Sequence, residues 1–198
     1  MKSKVIAFIM AMLGICYVYA NDVYIEQVGS GSTITINQEG SGNQVGNSTT
    51  DVYIGSGSNV VTVDQVGDNN TLAMVVNGSS ADVTVNTTGS GNIQTIDCGT
   101  TSSAGCGTST ITQTVTGDDN TITQNLGAGA NHTSNITVTG DTNIVTHTST
   151  STAGATMNAT IAGDSNTVSV TQGGTLTQQN VTINSTGSSN AITITQSN

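Results

Sequence analysis

The chain has 198 residues with 12 acidic and 2 basic side chains, a formal net charge of −10. The basic residues, Lys2 and Lys4, both sit at the extreme N-terminus, so nothing later can neutralise phosphates, which argues against nucleic-acid binding and against anionic membrane surfaces. With 3% aromatic residues, no Trp and no Pro, the chain lacks the large side chains that usually build a globular core of this length.

In chain order, Lys2 and Lys4 precede an apolar run from Val5 to Cys16, and Val18-Tyr19-Ala20 offers a cleavage site. The pattern predicts a secretory signal peptide over residues 1–20, too short and too early for a spanning helix. A lipoprotein reading through Cys16 fits poorly because bulky Ile15 precedes the cysteine. Residues 21–198 are then expected as one exported repeat domain, extracellular or at the cell surface, without membrane insertion after cleavage.

A Gly-x-x-Asn tetrad organises that domain, with glycines at Gly40, Gly67, Gly89, Gly117, Gly140, Gly163 and Gly187. Their asparagines are Asn43, Asn70, Asn92, Asn120, Asn143, Asn166 and Asn190. Successive glycines are 27, 22, 28, 23, 23 and 24 residues apart, a period that signals a solenoid. Alternating runs flank each tetrad. Val181 and Ile183 precede Gly187, Ile192 and Ile194 follow Asn190, and Thr182, Thr193 and Thr195 point the other way. Alternation with Val, Ile and Thr predicts half-buried strands, and glycine beside Asp or Asn supplies a tight turn with positive φ. The fold expected is all-β: a solenoid of seven to eight strand–turn–strand coils, with strands from Val23 onward. Stacking buries a thin apolar face and pairs the backbone of each coil with its neighbours.

Polar residues recur on the inward side of these strands. Ser32 and Gln38 bracket Ile34 and Ile36, Asn59 and Gln65 bracket Val61 and Val63, and Asn166 and Gln172 bracket Val168 and Val170. Asn190 and Gln196 do the same for Ile192 and Ile194. In register, their amides can bond into ladders along the axis. Cys98 and Cys106 flank a Gly-, Ser- and Thr-rich stretch, and the expected local disulfide would contribute about 2–3 kcal/mol.

These residues resemble the curlin repeats of bacterial curli fibres, whose pattern is Ser-x5-Gln-x-Gly-x-Gly-Asn-x5-Gln. Ser32, Gln38, Gly40, Gly42 and Asn43 hold its first half, and Gln27-x-Gly29 and Gln65-x-Gly67-x-x-Asn70 extend the match. Later units depart from it, with Thr87, Val115, Val138, Ile161 and Ser185 in place of the glutamine before the turn. The resemblance implies an exported subunit assembling into amyloid-like fibres for adhesion and biofilm matrix, with a secretion pore or a nucleator protein as further partners.

Other chemistry is sparse. Asp68, Asp118, Asp141 and Asp164 follow turn glycines, read here as solvated turn residues rather than calcium ligands. Thr-x-Thr pairs such as Thr33/Thr35, Thr110/Thr112 and Thr193/Thr195 suggest an outward threonine face, the basis of an ice-binding alternative. His132 and His147 are expected at the surface or in loops, and no nucleophile, acid and base combine into an active site. No enzyme, metal or cofactor is therefore expected. The chain is expected to polymerise with itself by end-to-end coil stacking through Tyr24-Ile25 and Ile192-Thr193-Ile194, the alternative being a non-polymerising adhesin, phage-fibre or ice-binding solenoid.

Overall fold

A computed structural model describes residues 21–198 apart from 28, 47–51, 56, 99–106, 128–130, 151–153, 175–178 and 198, so the segment expected to be a signal peptide and Cys106 lie outside the described residues. All regular structure among the described residues is β-strand, in two parallel sheets. The smaller sheet stacks β1 (Glu26–Gln27), β3 (Val52–Ile54), β5 (Met74–Val76), β7 (Ile96–Cys98), β9 (Asn125–Leu126) and β11 (Thr148–Ser149). The larger stacks β2 (Thr33–Asn37), β4 (Val60–Asp64), β6 (Asp82–Asn86), β8 (Thr110–Thr114), β10 (Thr133–Val138), β12 (Thr156–Ile161) and β13 (Asn180–Ser185). Up to β12 the strands alternate between the sheets, so each of these coils lays one strand on each sheet before passing to the next, while β13 follows β12 within the larger sheet. The protein is a parallel β-solenoid of about six turns.

That is slightly fewer than the seven to eight coils expected from the tetrads. The arms after Asn166 and Asn190 still stack, Val168 N bonding Ile144 O and Val170 N bonding Thr193 O, but are not regular strands. Strand pairing likewise begins at Glu26, although Ile25 O already accepts from Tyr53 N. The smaller sheet has short strands for a local reason: residues between the ladder asparagine and the strand, among them Thr71, Leu72, Ile93, Gln94, Ile144 and Val145, hold positive φ.

Register follows the repeat. Partners across the larger sheet run Thr33, Val60, Asp82, Thr110, Thr133, Thr156 and Asn180, separated by 27, 22, 28, 23, 23 and 24 residues. These are the spacings of the turn glycines. Each coil therefore returns to the same rung whatever its length. Inward residues alternate with outward ones as the pleat demands: Asn59, Val61, Val63 and Gln65 are fully buried, whereas Thr62 and Asp64 are not. The core forms two apolar clusters. One runs from Ile36 to Leu126, and the other from Val115 to Val170.

Candidate functional site

The most regular feature of the interior is the column of tetrad asparagines. Asn70 Nδ2 donates to Asn43 Oδ1 at 2.7 Å, and Asn92, Asn120 and Asn143 each donate to the preceding member at 2.6 Å. Asn166 continues to Asn143, and Asn190 to Asn166. Six of the seven amides are buried, so these bonds meet hydrogen-bonding needs that water cannot. The ladder runs one way, since every donor faces the coil before it. Its first described member, Asn43, is left with a buried Nδ2 that has no partner, and its last, Asn190, is exposed.

The tight turns carry a second ladder, on the outside. Positive φ falls on the residue after the glycine, at Ser41, Asp68, Ser90, Asp118, Asp141, Asp164 and Ser188, and Gly29 is the one motif glycine that itself adopts it. Small polar residues tolerate this conformation best after glycine. The aspartates also bond downward. Asp68 Oδ1 accepts from Ser41 N, Asp118 Oδ1 from Ser90 N, Asp141 Oδ1 from Asp118 N and Asp164 Oδ1 from Asp141 N, each at 2.7 Å. The glycine makes room for that carboxylate. A Cβ at Gly89, Gly117 or Gly140 would stand 2.9–3.0 Å from the Oδ1 of the next coil's aspartate, whereas one at Gly67, below Ser90, meets nothing within 4 Å. The turn aspartates are thus exposed yet engaged, each holding the turn beneath it.

The glutamines do not form one continuous column. Gln65 Nε2 donates to Gln38 Oε1 at 3.1 Å, and Gln38 Nε2 reaches Asn21 O at 3.2 Å, but the next coil offers Thr87. From Thr87 a different chain crosses the core. Gln94 donates to Thr87 Oγ1, Gln113 to Gln94 and Gln124 to Gln113, each at 2.6 Å, and Ser134 closes it on Gln124 Oε1. Asn59 ties neighbouring coils, accepting from Ser32 N and donating to Gly29 O and Gly55 O. Gln27 stands in register with Ile54, Gln172 is buried without a hydrogen-bond partner, and Gln196 is exposed on the last coil.

The histidines overturn the surface expectation. His132 is 1% exposed and His147 0%, because both occupy inward positions of the alternation: His132-x-Ser134-x-Ile136 and Val145-x-His147-x-Ser149. Burial, and then repulsion from His132, pushes His147 down to about 4, with Gln172 opposing the shift. Neither ring nitrogen of His147 meets hydrogen-bond geometry with any group, Gln172 included. Cys98 is fully buried and disulfide-bonded. The outward threonines stand in register as Thr35, Thr62, Thr84 and Thr112, after which Asn135 and Asn158 continue the column with their own amide bonds.

The last coil is unlike those below it. Val168 and Val170 are 1–2% exposed, while Ile192 and Ile194, two motif positions that follow Asn190 in the same way, are 41% and 49% exposed. At the other end Tyr24 is 47% exposed. Fold and site together define a repeat protein of the structural or binding kind: a parallel β-solenoid threaded by a one-way amide ladder. Comparison with protein-family models, with curated proteins and with solved structures finds no match.

Proposed function

We propose that the chain is an exported structural subunit that joins end to end with copies of itself into curli-type, amyloid-like fibres at or outside the cell surface, serving adhesion and biofilm matrix. The observation that carries this is the ladder's polarity: every rung donates toward the coil before it, so the column has one chemical end at Asn43 and the opposite one at the exposed Asn190. Stacking the first coil of one copy on the last coil of another continues the column and covers Ile192 and Ile194. Full burial of such a side chain is worth about 1.5–3 kcal/mol relative to leaving it exposed. The open edges also carry unpaired backbone groups, the template for strand addition. In this reading the principal partner is the chain itself, with a secretion pore and a nucleator as accessory partners, and no catalytic role.

The test is a thioflavin-T time course with negative-stain microscopy on residues 21–198, with and without sonicated seeds. Uniform fibrils that seed fresh monomer are expected. Particles that stay compact and soluble at high concentration would overturn the proposal and turn attention to the threonine column as the face of a binding solenoid.

A further inference from the structure

The buried histidines lie beneath the open edge that joining would use. His132 enters β10, and its Nε2 is 3.2 Å from Ser149 Oγ. His147 sits on the arm between Asn143 and Ser149. Backbone bonds carry the stack upward from that arm, Val168 N to Ile144 O and then Val170 N to Thr193 O, so its shape sets the seat of Ile192 and Ile194.

Among the described residues no counter-charge faces His147. The inward side chains of β8, β10, β12 and the arms 120–126 and 166–172 are uncharged apart from His132 itself, and the acids of these coils, Asp118, Asp119, Asp141 and Asp164, are exposed at the turns. Gln172, beside His147, has neither amide atom in a hydrogen bond, so its Oε1 is a neutral acceptor open to the ring, which offsets part of the cost of a buried charge without balancing it. A proton on His147 is therefore a buried charge with no counter-ion beside it, among the most destabilising groups a core can hold.

We infer that this histidine pair makes end-to-end joining acid-sensitive: proton uptake unstacks the last coils and withdraws the edge to which a second copy adds. The consequence for joining rests on the proposed function, whereas the acid opening of the coils stands apart from it. The depressed titration of His147, about 4 against an ordinary 6.5, fixes the window. Because the folded chain binds the proton less readily than the unfolded one, stability is full above the unfolded value, falls as pH drops through the interval, and levels off below the folded value. At pH 5 the folded-to-unfolded ratio drops roughly thirtyfold relative to pH 8 from this ring alone.

The experiment compares the natural chain with a His132→Ala/His147→Val double variant, residues that match Ala155 and Val170 on the coils above. Urea denaturation of monomer and seeded elongation are both read at pH 8 and pH 5. The natural chain is expected to lose stability and elongation at pH 5, and the double variant to keep both. Equal acid losses in the two chains would overturn the inference. Should the double variant not fold, His132→Ala/His147→Gln, whose glutamine repeats Gln124 of the coil below, serves as the proton-blind version under the same criterion. If neither chain elongates seeds at either pH, the joining proposal fails, and the denaturation comparison still decides whether the pair opens the coils.

Discussion

Replacing Asn120 by Ala removes a rung from the middle of the amide ladder. Two partners are orphaned at once: Asn143 Nδ2, now bonded to Asn120 Oδ1 at 2.6 Å, and Asn92 Oδ1, now accepting from Asn120 Nδ2 at 2.6 Å. Both are fully buried, with no route to water. A buried polar group left unsatisfied costs about 1–3 kcal/mol, so the pair should cost about 2–6 kcal/mol before any cavity is counted. Against a typical total of about 5–15 kcal/mol, that is enough to move the unfolding midpoint far down. The matching control is Asn190→Ala. That residue is exposed and orphans a single buried acceptor, on Asn166, so the cost should be about half as large, roughly 1–3 kcal/mol in the monomer. Urea titration by far-UV circular dichroism at pH 8, at concentrations where the chain is monomeric, measures both. An Asn120→Ala loss no larger than that of Asn190→Ala would refute the idea that a continuous buried ladder holds the coils together.

Further outcomes follow from the turns and the edge. Gly117→Ala should destabilise by about 1–2 kcal/mol, because its Cβ would crowd Asp141 Oδ1 at 3.0 Å, and most of that loss should vanish in an Asp141→Ser background. Gly67→Ala, with open space above it, should change stability by less than about 0.5 kcal/mol in the same denaturation assay. Ile194→Asp, at a site 49% exposed, should leave the urea midpoint within about 0.5 kcal/mol yet stop seeded elongation, read by thioflavin-T. Retained elongation in that variant would show that joining does not use the last coil.

Register was legible in the sequence because a stacked coil must return to its starting rung, so the spacing of a turn residue is the spacing of the whole sheet. The inward parity of Asn59, Val61, Val63 and Gln65 was legible for a similar reason, since the pleat has a period of two. His132 and His147 were expected at the surface or in loops, although parity with Ser134, Ile136 and Ser149 already put them inside. The chain Gln94–Gln113–Gln124–Ser134 had no such signal. Its links are 19, 11 and 10 residues long and pass between facing strands instead of along one column, so no period reveals them. The same holds for the glycine–aspartate fit in the turns. There each glycine answers to a side chain a full coil away, and local turn chemistry suggested that the glycine itself would hold the positive φ.

Coil length and rung position are independent in this molecule. The rung from Asp82 to Thr110 spans 28 residues and the next, from Thr110 to Thr133, only 23, yet both pair strand to strand without a shift. The surplus falls between Cys98 and Thr110, as a similar surplus falls between Asn43 and Val52. A foreign peptide spliced into either span is therefore expected to leave the core's columns unchanged, so the solenoid offers a display scaffold whose cargo can vary in size.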